Sequence, residues 1–439
     1  MAIAAVAGLA SAGGAFAAAV AAGTAFGFGA FATAFAIGAG LSIVSRALAP
    51  KPNLGAQLSG ITQTSREPAG PRQIVYGQIR VGGQIVYIQH SGTNNEFLHL
   101  VIVFASHEIE SFEEFWFNDF RVYENNAVSS DWSDYVTVTT YDGSQTAADT
   151  TLVNAFSEWT NDHVLNDMAY AHFKLKWDQD KFPQGVPNIT AILKGRKVYD
   201  PRDSGQSATD DTTWAYSQNP ALCARDYLVD KKYGLGEDHT LIDETTLIAA
   251  ADLCDESVAL NGGGTQTRYE CHGVMNTDNQ IKGNIEQILS AMGGRLTYSG
   301  GKYFIDAAGY VAPTFEFTEA DVVSDIQTQT KQSRRGVYNG VKGIFVSEEK
   351  NYKVLDYPAQ ISSTYEAEDG DPIYLDMPLP FVTNNTQAQR LAKIALLKSR
   401  QQVVVTMTVN LKGLQVKVGD TIKLTNERLG YDEKIFVVI

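Results

Sequence analysis

The stretch that decides the fold is Gln73-Ile74-Val75-Tyr76-Gly77-Gln78-Ile79-Arg80-Val81-Gly82-Gly83-Gln84-Ile85-Val86-Tyr87-Ile88-Gln89. Apolar β-branched and aromatic residues alternate with other residues at a period close to two on both sides of the Gly-Gly pair. This pattern is typical of two strands joined by a tight turn. An apolar run of strand length follows at residues 97–104, and it indicates a strand buried on both faces. The first part of the body is therefore predicted to be mostly β.

Helical patterns are concentrated in the second half of the chain. Asn219 is a natural N-cap and Pro220 suits the first helical position, while Asp243 caps a second helix. Thr277 or Asp278 is predicted to open a third helix, whose apolar stripe runs from Ile281 to Met292. One further amphipathic helix is predicted at residues 386–400. The predicted fold class is α+β and multidomain, with mainly antiparallel β domains and a few short helices.

The amino-terminal fifty residues differ sharply from the rest. They contain one charged side chain, Arg46, whereas the whole chain has a formal charge of −15, so residues 51–439 carry −16 (34 basic and 50 acidic). An apolar strip of this size needs a partner surface. Small residues at four-residue spacing favour helices that self-associate, in a channel lumen or a bilayer; the alternative is an arm packed on the body of the same oligomer. The proposed contact residues are Phe16, Gly23, Phe26, Gly27, Phe28, Phe31 and Phe35.

Composition excludes several function classes. The acidic balance and the absence of a long basic run argue against specific nucleic-acid binding. The three cysteines, Cys223, Cys254 and Cys271, fit neither a disulfide framework nor a zinc pattern, and buried free thiols are expected.

Residues with catalytic or ligand chemistry are present without the spacing that such chemistry needs. The carboxylate clusters at 108–114 and 366–371 are interpreted as solvated faces or loops, and the loop at 200–211 lacks the calcium-ligand pattern. His99 lies in an apolar strand and is interpreted as a satisfied interior histidine. No catalytic residue, cofactor or metal site is predicted, and the chain is expected not to be an enzyme.

An ordered series of short motifs resembles a known family. The central motifs are Asn219-Pro220-Ala221, Tyr227-Leu228, Tyr233-Gly234-Leu235-Gly236, Cys254-Asp255-Glu256, Arg268-Tyr269-Glu270-Cys271 and Tyr298-Ser299-Gly300-Gly301-Lys302. The flanking motifs are Ile74-Val75-Tyr76-Gly77, Leu98-His99-Leu100-Val101, Tyr338-Asn339-Gly340-Val341, Leu379-Pro380-Phe381-Val382 and Val418-Gly419-Asp420. In this order they resemble the tail-tip hub proteins of long-tailed, siphovirus-type bacteriophages, the family of the host-specificity tail protein of phage lambda.

The resemblance implies a structural virion protein at the tail tip, made in the bacterial host cytoplasm. It implies a homotrimeric hub that closes the tail tube, contacts the end of the tape-measure protein and opens for DNA ejection. Hexameric distal tail or tube proteins are implied partners, and receptor-binding fibre proteins and the host membrane are further candidates for host attachment. DNA would pass through the channel without specific binding. The apolar contact residues would then lie at the trimer axis or in a membrane.

The sequence and the resemblance together give an expected domain organisation. The sequence ends at 436–439 inside a predicted strand, so either the natural chain is longer and the last domain is truncated, or this strand closes it. Strand edges around 74–104 and 403–424 are expected to meet the tube-side ring. The expected parts are an apolar helical segment (1–50), a linker (51–72), a first hub β domain (73–126, with return strands at 190–215), an inserted β-rich lobe (127–189), a central helix-plus-hairpin domain (216–325) and a later hub domain (326–439).

Two other functions stay open at this point. One is a tail-associated cell-wall hydrolase, which would need a carboxylic acid held protonated in an apolar pocket beside an ionised partner. The other is a membrane-inserting pore protein acting through residues 1–48.

Overall fold

The computed structural model describes residues 26–27, 64–65, 70–331, 333 and 336–439. The earlier strands are β1 Phe26–Gly27, β2 Gln73–Tyr76, β3 Gln78–Gly82, β4 Gln84–Ser91, β5 Phe97–Ala105, β6 Ser111–Phe117, β7 Phe120–Glu124, β8 Ala127–Val128, β9 Val136–Tyr141, β10 Ala169–Lys176, β11 Ile189–Lys194, β12 Lys197–Val198 and β13 Ala215–Tyr216. The later strands are β14 Ser257–Ala259, β15 Thr265–Thr267, β16 Gly273–Asn276, β17 Arg295–Ser299, β18 Lys302–Asp306, β19 Phe315–Phe317, β20 Gln327–Gln329, β21 Gly340–Lys342, β22 Ile344–Ser347, β23 Lys353–Asp356, β24 Gln360–Ile361, β25 Tyr374–Asp376, β26 Val404–Thr406, β27 Thr421–Asn426 and β28 Tyr431–Val437. The α-helices are α1 Thr150–Ala155, α2 Pro220–Val229, α3 Glu244–Asp255, α4 Ile281–Ala291, α5 Ser363–Asp369 and α6 Asn385–Ser399.

Residues 73–198 form a β-sandwich. One sheet has the strand order β4-β5-β10-β9 and the other has the order β3-β11-β6-β7-β8. Aromatic side chains from both sheets meet in the shared core, where the ring centroids of Phe115 and Phe173 are 5.1 Å apart. The segment predicted as an inserted lobe supplies β9 and β10 to the first sheet, because its Val-Thr alternation and apolar run match the neighbouring strands in register.

The second core is helical and contains segments that are distant in sequence. Helices α2, α3, α4 and α6 share one apolar core with the hairpin β17–β18, and residues from 341 to 396 contribute to it. The predicted caps are confirmed: Asn219 accepts a hydrogen bond from the Ala221 N–H, and Asp243 accepts one from the Thr246 N–H. Helix α4 begins later than predicted, at Ile281, because Thr277 instead exchanges hydrogen bonds with Arg72.

A smaller β unit, residues 314–331 and 403–439, follows the helical core. Here β19 pairs in parallel with β27, β27 pairs with β28, and β20 pairs with β26. Its own apolar core contains Phe317, Val409, Ile422 and Leu424. Of the predicted helical segment 1–50, the described residues are the extended Phe26–Gly27, and the rest of that prediction lies outside the described residues.

The sandwich and the helical core meet where strand β2 turns into β3. Strand β2 pairs with β16 of the helical part, whereas β3 pairs with β11 of the sandwich. Gly77 separates them with a φ of +65°, and a Cβ at this position would lie 2.0 Å from the Cys271 carbonyl oxygen. Only glycine is compatible with both the left-handed conformation and the close backbone approach.

A buried ionic cluster lies beside this turn. The Tyr76 hydroxyl donates to Asp226 Oδ2 at 2.5 Å, and Arg196 Nη1 lies 3.3 Å from the same oxygen and donates to Asp230 Oδ2 at 2.5 Å. Burial raises the pKa of Asp226, and the Arg196 charge opposes that rise. Burial, followed by the negative charge of Asp226, raises the pKa of Tyr76 well above its usual value. The cluster therefore joins helix α2 to the sandwich, because the carboxylates of Asp226 and Asp230 pair with the Arg196 guanidinium.

We expect Asp226→Ala to destabilise the protein much more than Tyr76→Phe. The first change removes one of the two carboxylates that pair with Arg196 and leaves the buried Tyr76 hydroxyl without its acceptor, and it should cost up to about 3–5 kcal/mol. The second removes one hydrogen bond and should cost about 1–2 kcal/mol. Urea unfolding at pH 7 measures both. Equal losses would contradict a junction that depends on the buried charge pair.

Candidate functional site

The predicted contact residues of the apolar strip lie almost entirely outside the described residues. Phe16, Gly23, Phe28, Phe31 and Phe35 are among those not described. The backbone of Phe26–Gly27 is described, and it pairs antiparallel with Leu296 and Arg295 at the edge of the β17–β18 hairpin. Their proposed role in trimer-axis or membrane contacts stays a prediction.

The chain joins the sandwich at Thr64 and Ser65. The Thr64 N–H donates to Asn188 Oδ1 at 2.8 Å, and its hydroxyl donates to the Ile189 carbonyl at 2.6 Å. Ser65 donates to the Gly83 carbonyl and accepts from the Ile85 N–H, so it forms a short parallel bridge to the start of β4. The segment that follows the apolar strip is thus held at the corner between the two sheets.

The predicted assembly edges can be compared with the sheet order. Within residues 74–104, β3 lies at the edge of the five-stranded sheet and β4 at the edge of the four-stranded sheet, whereas β5 is an interior strand. Within residues 403–424, β26 has an open edge because its sheet has two strands, whereas β27 is interior; β28, which follows this range, forms the edge beside β27. Alternation in the sequence reveals which residues share a face of a strand, but it does not reveal whether the strand has one neighbour or two.

A chain of polar side chains, buried except for the half-buried Ser91, lies between α1 and the face of the four-stranded sheet that is opposite the sandwich core. Ser91 Oγ lies 2.9 Å from His99 Nε2, His99 Nδ1 lies 3.0 Å from His172 Nε2, and His172 Nδ1 lies 2.8 Å from Asp149 Oδ2. Asp149 also caps α1 by accepting from the Thr151 and Leu152 N–H groups. The interpretation of His99 as a satisfied interior histidine is confirmed, but its partners are distant in sequence and no local pattern indicated them.

This chain has the atom types of a hydrolytic relay, yet its environment fits a structural role. His99, His172 and Asp149 are at most 2% exposed, and the Phe156 ring lies edge-on to His99 with centroids 5.0 Å apart. Burial, and then the charge of His172, lowers the pKa of His99 to about 4. The network holds α1 against β5 and β10, and its members are saturated by one another rather than directed at a substrate.

His107 is another buried histidine with a lowered pKa. His107 Nε2 accepts from the Val75 N–H at 2.9 Å, and its Nδ1 is 2.7 Å from the Glu108 carbonyl oxygen. Burial, and then the charge of Arg196, lowers its pKa to about 3. Both histidines are therefore neutral in the folded protein at pH 7.

The surface carboxylates are engaged in ordinary ion pairs and turns. Glu108 pairs with Lys197 at 2.8 Å and Glu113 with Lys194 at 3.3 Å. In the 200–211 loop, Asp200 binds Arg202. Across the described ranges, no group of three or more His, Cys, Asp or Glu side chains is placed to hold a metal ion.

The three cysteines are free and fully buried in the helical core, which confirms that part of the sequence interpretation. No helix in the described part of the chain is both long and apolar enough to cross a membrane.

The carboxy-terminal β unit contacts the helical core through the β17–β18 hairpin. Arg295 donates through Nη2 to the Gly419 carbonyl and through Nε to Asp306 Oδ2 at 3.1 Å. Lys417 Nζ lies 3.9 Å above the Phe304 ring. Gly419 has a φ of +104°, and a Cβ there would lie 2.3 Å from Arg295 Nη2. Arg295 thus acts as a latch between the two parts, and a cleft beside it is lined by Ser299, Gly300, Lys302, Phe304, Leu414, Gln415, Val416, Lys417 and Asp420.

Comparison with known proteins finds similarity to phage tail proteins. The Phage-tail_3 family, described as "Putative phage tail protein", matches residues 280–436. Over 266 residues the chain is 25% identical to the tip attachment protein J of Escherichia phage SECphi27, covering 57% of this chain and 22% of that protein. Over 301 residues it is 25% identical to the baseplate hub protein pb3 of Escherichia phage T5, covering 64% of this chain and 30% of that protein.

The chain is a relative of phage tail-tip and baseplate-hub proteins. This confirms the family resemblance seen in the sequence, and with it a location in the virion tail. A chain from the virion of a native gene transfer agent particle has the same overall fold, with a TM-score of 0.56 at 15% identity over 92% of both chains. The similarity supports the multidomain α+β class. The matched regions span less than a third of the length of either tail-tip relative.

We expect stability to fall as the pH is lowered from 7 to 4.5. The unfolded chain takes up protons at His99 and His107 near pH 6.5, whereas the folded chain binds them only near pH 4 and 3, so the stability that neutral histidine contributes is lost through this window. For His107 the loss should be about 2–3 kcal/mol at pH 4.5. His107→Gln retains an acceptor for the Val75 N–H and should reduce the pH slope measured by urea unfolding. An unchanged slope would contradict this assignment.

We expect Gly419→Ala to loosen the carboxy-terminal unit, because the added methyl group displaces Arg295 in addition to straining the backbone. Gly430→Ala is the matched control: Gly430 lies in the same unit, has a φ of +66° and has open space where an added methyl group would lie, so it should show only the backbone cost of about 1 kcal/mol. Limited proteolysis at the connecting residues 307–313 reports the loosening. Equal cleavage of the two variants would argue against the latch.

Proposed function

We propose that this chain forms the hub at the distal end of a phage tail, with three copies closing the tail tube. The observation that carries the proposal is the combination of the two tail-tip relatives with a fold match over 92% of the chain. In this role the protein is structural and non-enzymatic, and the buried Ser91–His99–His172–Asp149 chain serves folding.

The architecture supports a trimer. The chain carries two β units, the sandwich at 73–198 and the smaller unit at 314–331 and 403–439, on either side of a helical core. Three copies supply six β units, which suits a hexameric distal tail or tube ring above the hub. The six parts expected from the sequence, from the 1–50 segment to the 326–439 domain, remain the proposed domain organisation of such a hub.

The negative net charge supports a hub through which DNA passes without being bound. Residues 51–439 carry a formal charge of −16 (34 basic, 50 acidic), and an acidic wall repels the phosphate backbone rather than retaining it. The hub would hold the tape-measure end and release it for ejection, and the Arg295 latch provides a place where the carboxy-terminal unit can separate from the helical core. Fibre proteins and the host membrane are the remaining proposed contacts.

The apolar strip is proposed to contribute at the trimer axis. Thr64 and Ser65, which follow it, are fixed to the sandwich by hydrogen bonds to Asn188, Ile189 and Gly83, so in a trimer the three strips would start from equivalent points. Phe16, Phe31 and Phe35 would then provide contact area, and Gly23 would permit close helix packing.

The proposal is tested by the mass of the full chain in mild detergent, measured by light scattering beside residues 51–439. A three-copy mass for the full chain is the expected result, and the shorter chain shows whether the strip or the body provides the contacts. A full chain that stays monomeric at high micromolar concentration would overturn the hub assignment.

A further inference from the structure

Arg225 of helix α2 is a buried cation whose guanidinium group is not paired with a carboxylate. Arg225 is 2% exposed, and its Nη1 atom is enclosed and has no hydrogen-bond partner among the described residues. The adjacent carboxylate of Asp226 contacts Tyr76 and Arg196 instead. A buried charge is normally paired, because it loses its hydration and needs compensation. The described side chains therefore do not supply the counter-charge that the burial of Arg225 calls for.

Two aromatic rings lie against the Arg225 guanidinium. Its Cζ atom is 4.6 Å from the centre of the Tyr199 ring and 5.7 Å from the centre of the Trp214 ring. The centroids of the two rings are 6.4 Å apart. Such cation–π contacts attract the guanidinium and hold it in one place, but they bring no negative charge to its N–H groups.

The second buried arginine that stacks on an aromatic ring shows what Arg225 lacks. Arg80 has its Cζ atom 4.9 Å from the centre of the Trp116 ring. Its Nε atom also donates to Thr190 Oγ1 at 2.8 Å, and its Nη2 atom donates to the Asn118 carbonyl at 2.9 Å. Stacking on a ring therefore accompanies hydrogen bonding at Arg80, whereas at Arg225 it leaves Nη1 unpartnered.

Tyr199 and Trp214 stand at the two ends of one surface loop, residues 199–214. Strands β12 and β13 pair just outside the loop and close its base. Within it, Trp214 Nε1 donates to the Ser207 carbonyl at 2.8 Å, and Arg202 forms ion pairs with aspartates of helix α3. Most residues from 203 to 212 are exposed. The unpartnered N–H groups of Arg225 thus lie beneath an ordered loop whose other side faces solvent.

The charges around Arg225 indicate which anion suits it. Burial lowers the pKa of Arg225, and the negative charge of Asp226, with a smaller effect of Glu244, opposes the fall. Glu244 is exposed at the start of helix α3. These two carboxylates would repel a dianion more than a monoanion. A monovalent carboxylate is planar and matches the planar N–H groups of a guanidinium, so a small monocarboxylate fits best.

We propose that Arg225 binds a small carboxylate anion from solution, between helix α2 and the loop at residues 199–214. The anion accepts a hydrogen bond from Nη1, supplies the counter-charge and joins the loop to the helix. The carboxylate comes from outside the chain, because Glu244 stays exposed and unpaired with Arg225 although its charge acts on it. This site goes beyond the hub proposal and does not depend on it.

Acetate is the probe for this site, and chloride is the comparison at the same ionic strength. The melting temperature of the full chain in mild detergent is measured at pH 7 while sodium acetate replaces sodium chloride stepwise. Arg225→Met removes the charge and retains an apolar side chain. Arg121→Met is the matched control, because Arg121 is an exposed arginine that pairs with surface glutamates. Glu244→Gln distinguishes an external carboxylate from one supplied by the chain.

We expect the melting temperatures of the wild type, Arg121→Met and Glu244→Gln to rise as acetate replaces chloride. An anion that binds only the folded chain lowers the unfolding equilibrium constant, by about 100-fold when its concentration is 100 times its Kd. Arg225→Met should show no comparable rise. In chloride it should be at least as stable as the wild type, because replacing an uncompensated buried charge with an apolar side chain removes a cost.

A wild type that does not respond to acetate, or an equal rise in Arg225→Met, overturns the proposal. If Glu244 supplies the carboxylate itself, the wild type is insensitive and Glu244→Gln becomes sensitive, which overturns the external site as well. If Arg225→Met does not fold, Arg225→Lys replaces it. Lysine keeps the charge without the planar N–H groups, so its rise should be smaller than that of the wild type, and an equal rise would count against the site.

Discussion

The structure depends on the buried contact among Tyr76, Asp226 and Arg196, beside the turn at Gly77. At this point the chain passes from β2, which pairs in the helical part, to β3, which pairs in the sandwich, so the two cores cannot be separated without breaking these ionic contacts. Removing Arg196 would leave Asp226 and Asp230 buried without their cation, which is costly in a low-dielectric interior. The sandwich and the helical core are therefore expected to behave as one rigid part.

The carboxy-terminal β unit is joined in a different way. Its described side-chain contacts with the hairpin are a single arginine latch and one cation–π contact, at Arg295 and Lys417. Both are partly exposed interactions and contribute less than a buried core. The two junctions therefore differ in strength, and in the hub role proposed above the weaker one is where the carboxy-terminal unit would be released.

The polar network beneath α1 shows why atom types alone do not identify an active site. Ser91, His99, His172 and Asp149 stand in the order of a proton relay, but the histidines are buried and saturated, and the acid caps a helix. The same chemistry that would activate a nucleophile at a surface here fastens α1 to a sheet. Burial decides between the two roles.

The sequence by itself determined the local structure and the resemblance to phage tail-tip proteins. Periodicity identified the first hairpin, Asn219 and Asp243 marked helix starts, and the apolar context of the cysteines indicated burial. The ordered motifs identified a relative of phage tail-tip proteins. Each of these properties depends on residues close together in the chain.

Only the tertiary structure decided which strands are neighbours and which edges stay open. It joined β2 to β16 and β3 to β11, moved the start of α4 to Ile281, and brought His172 and Asp149 to His99. The physical reason is that alternation fixes the face of a strand but not its partner. Partners are selected by packing and hydrogen bonding across long sequence separations, and no local pattern records them.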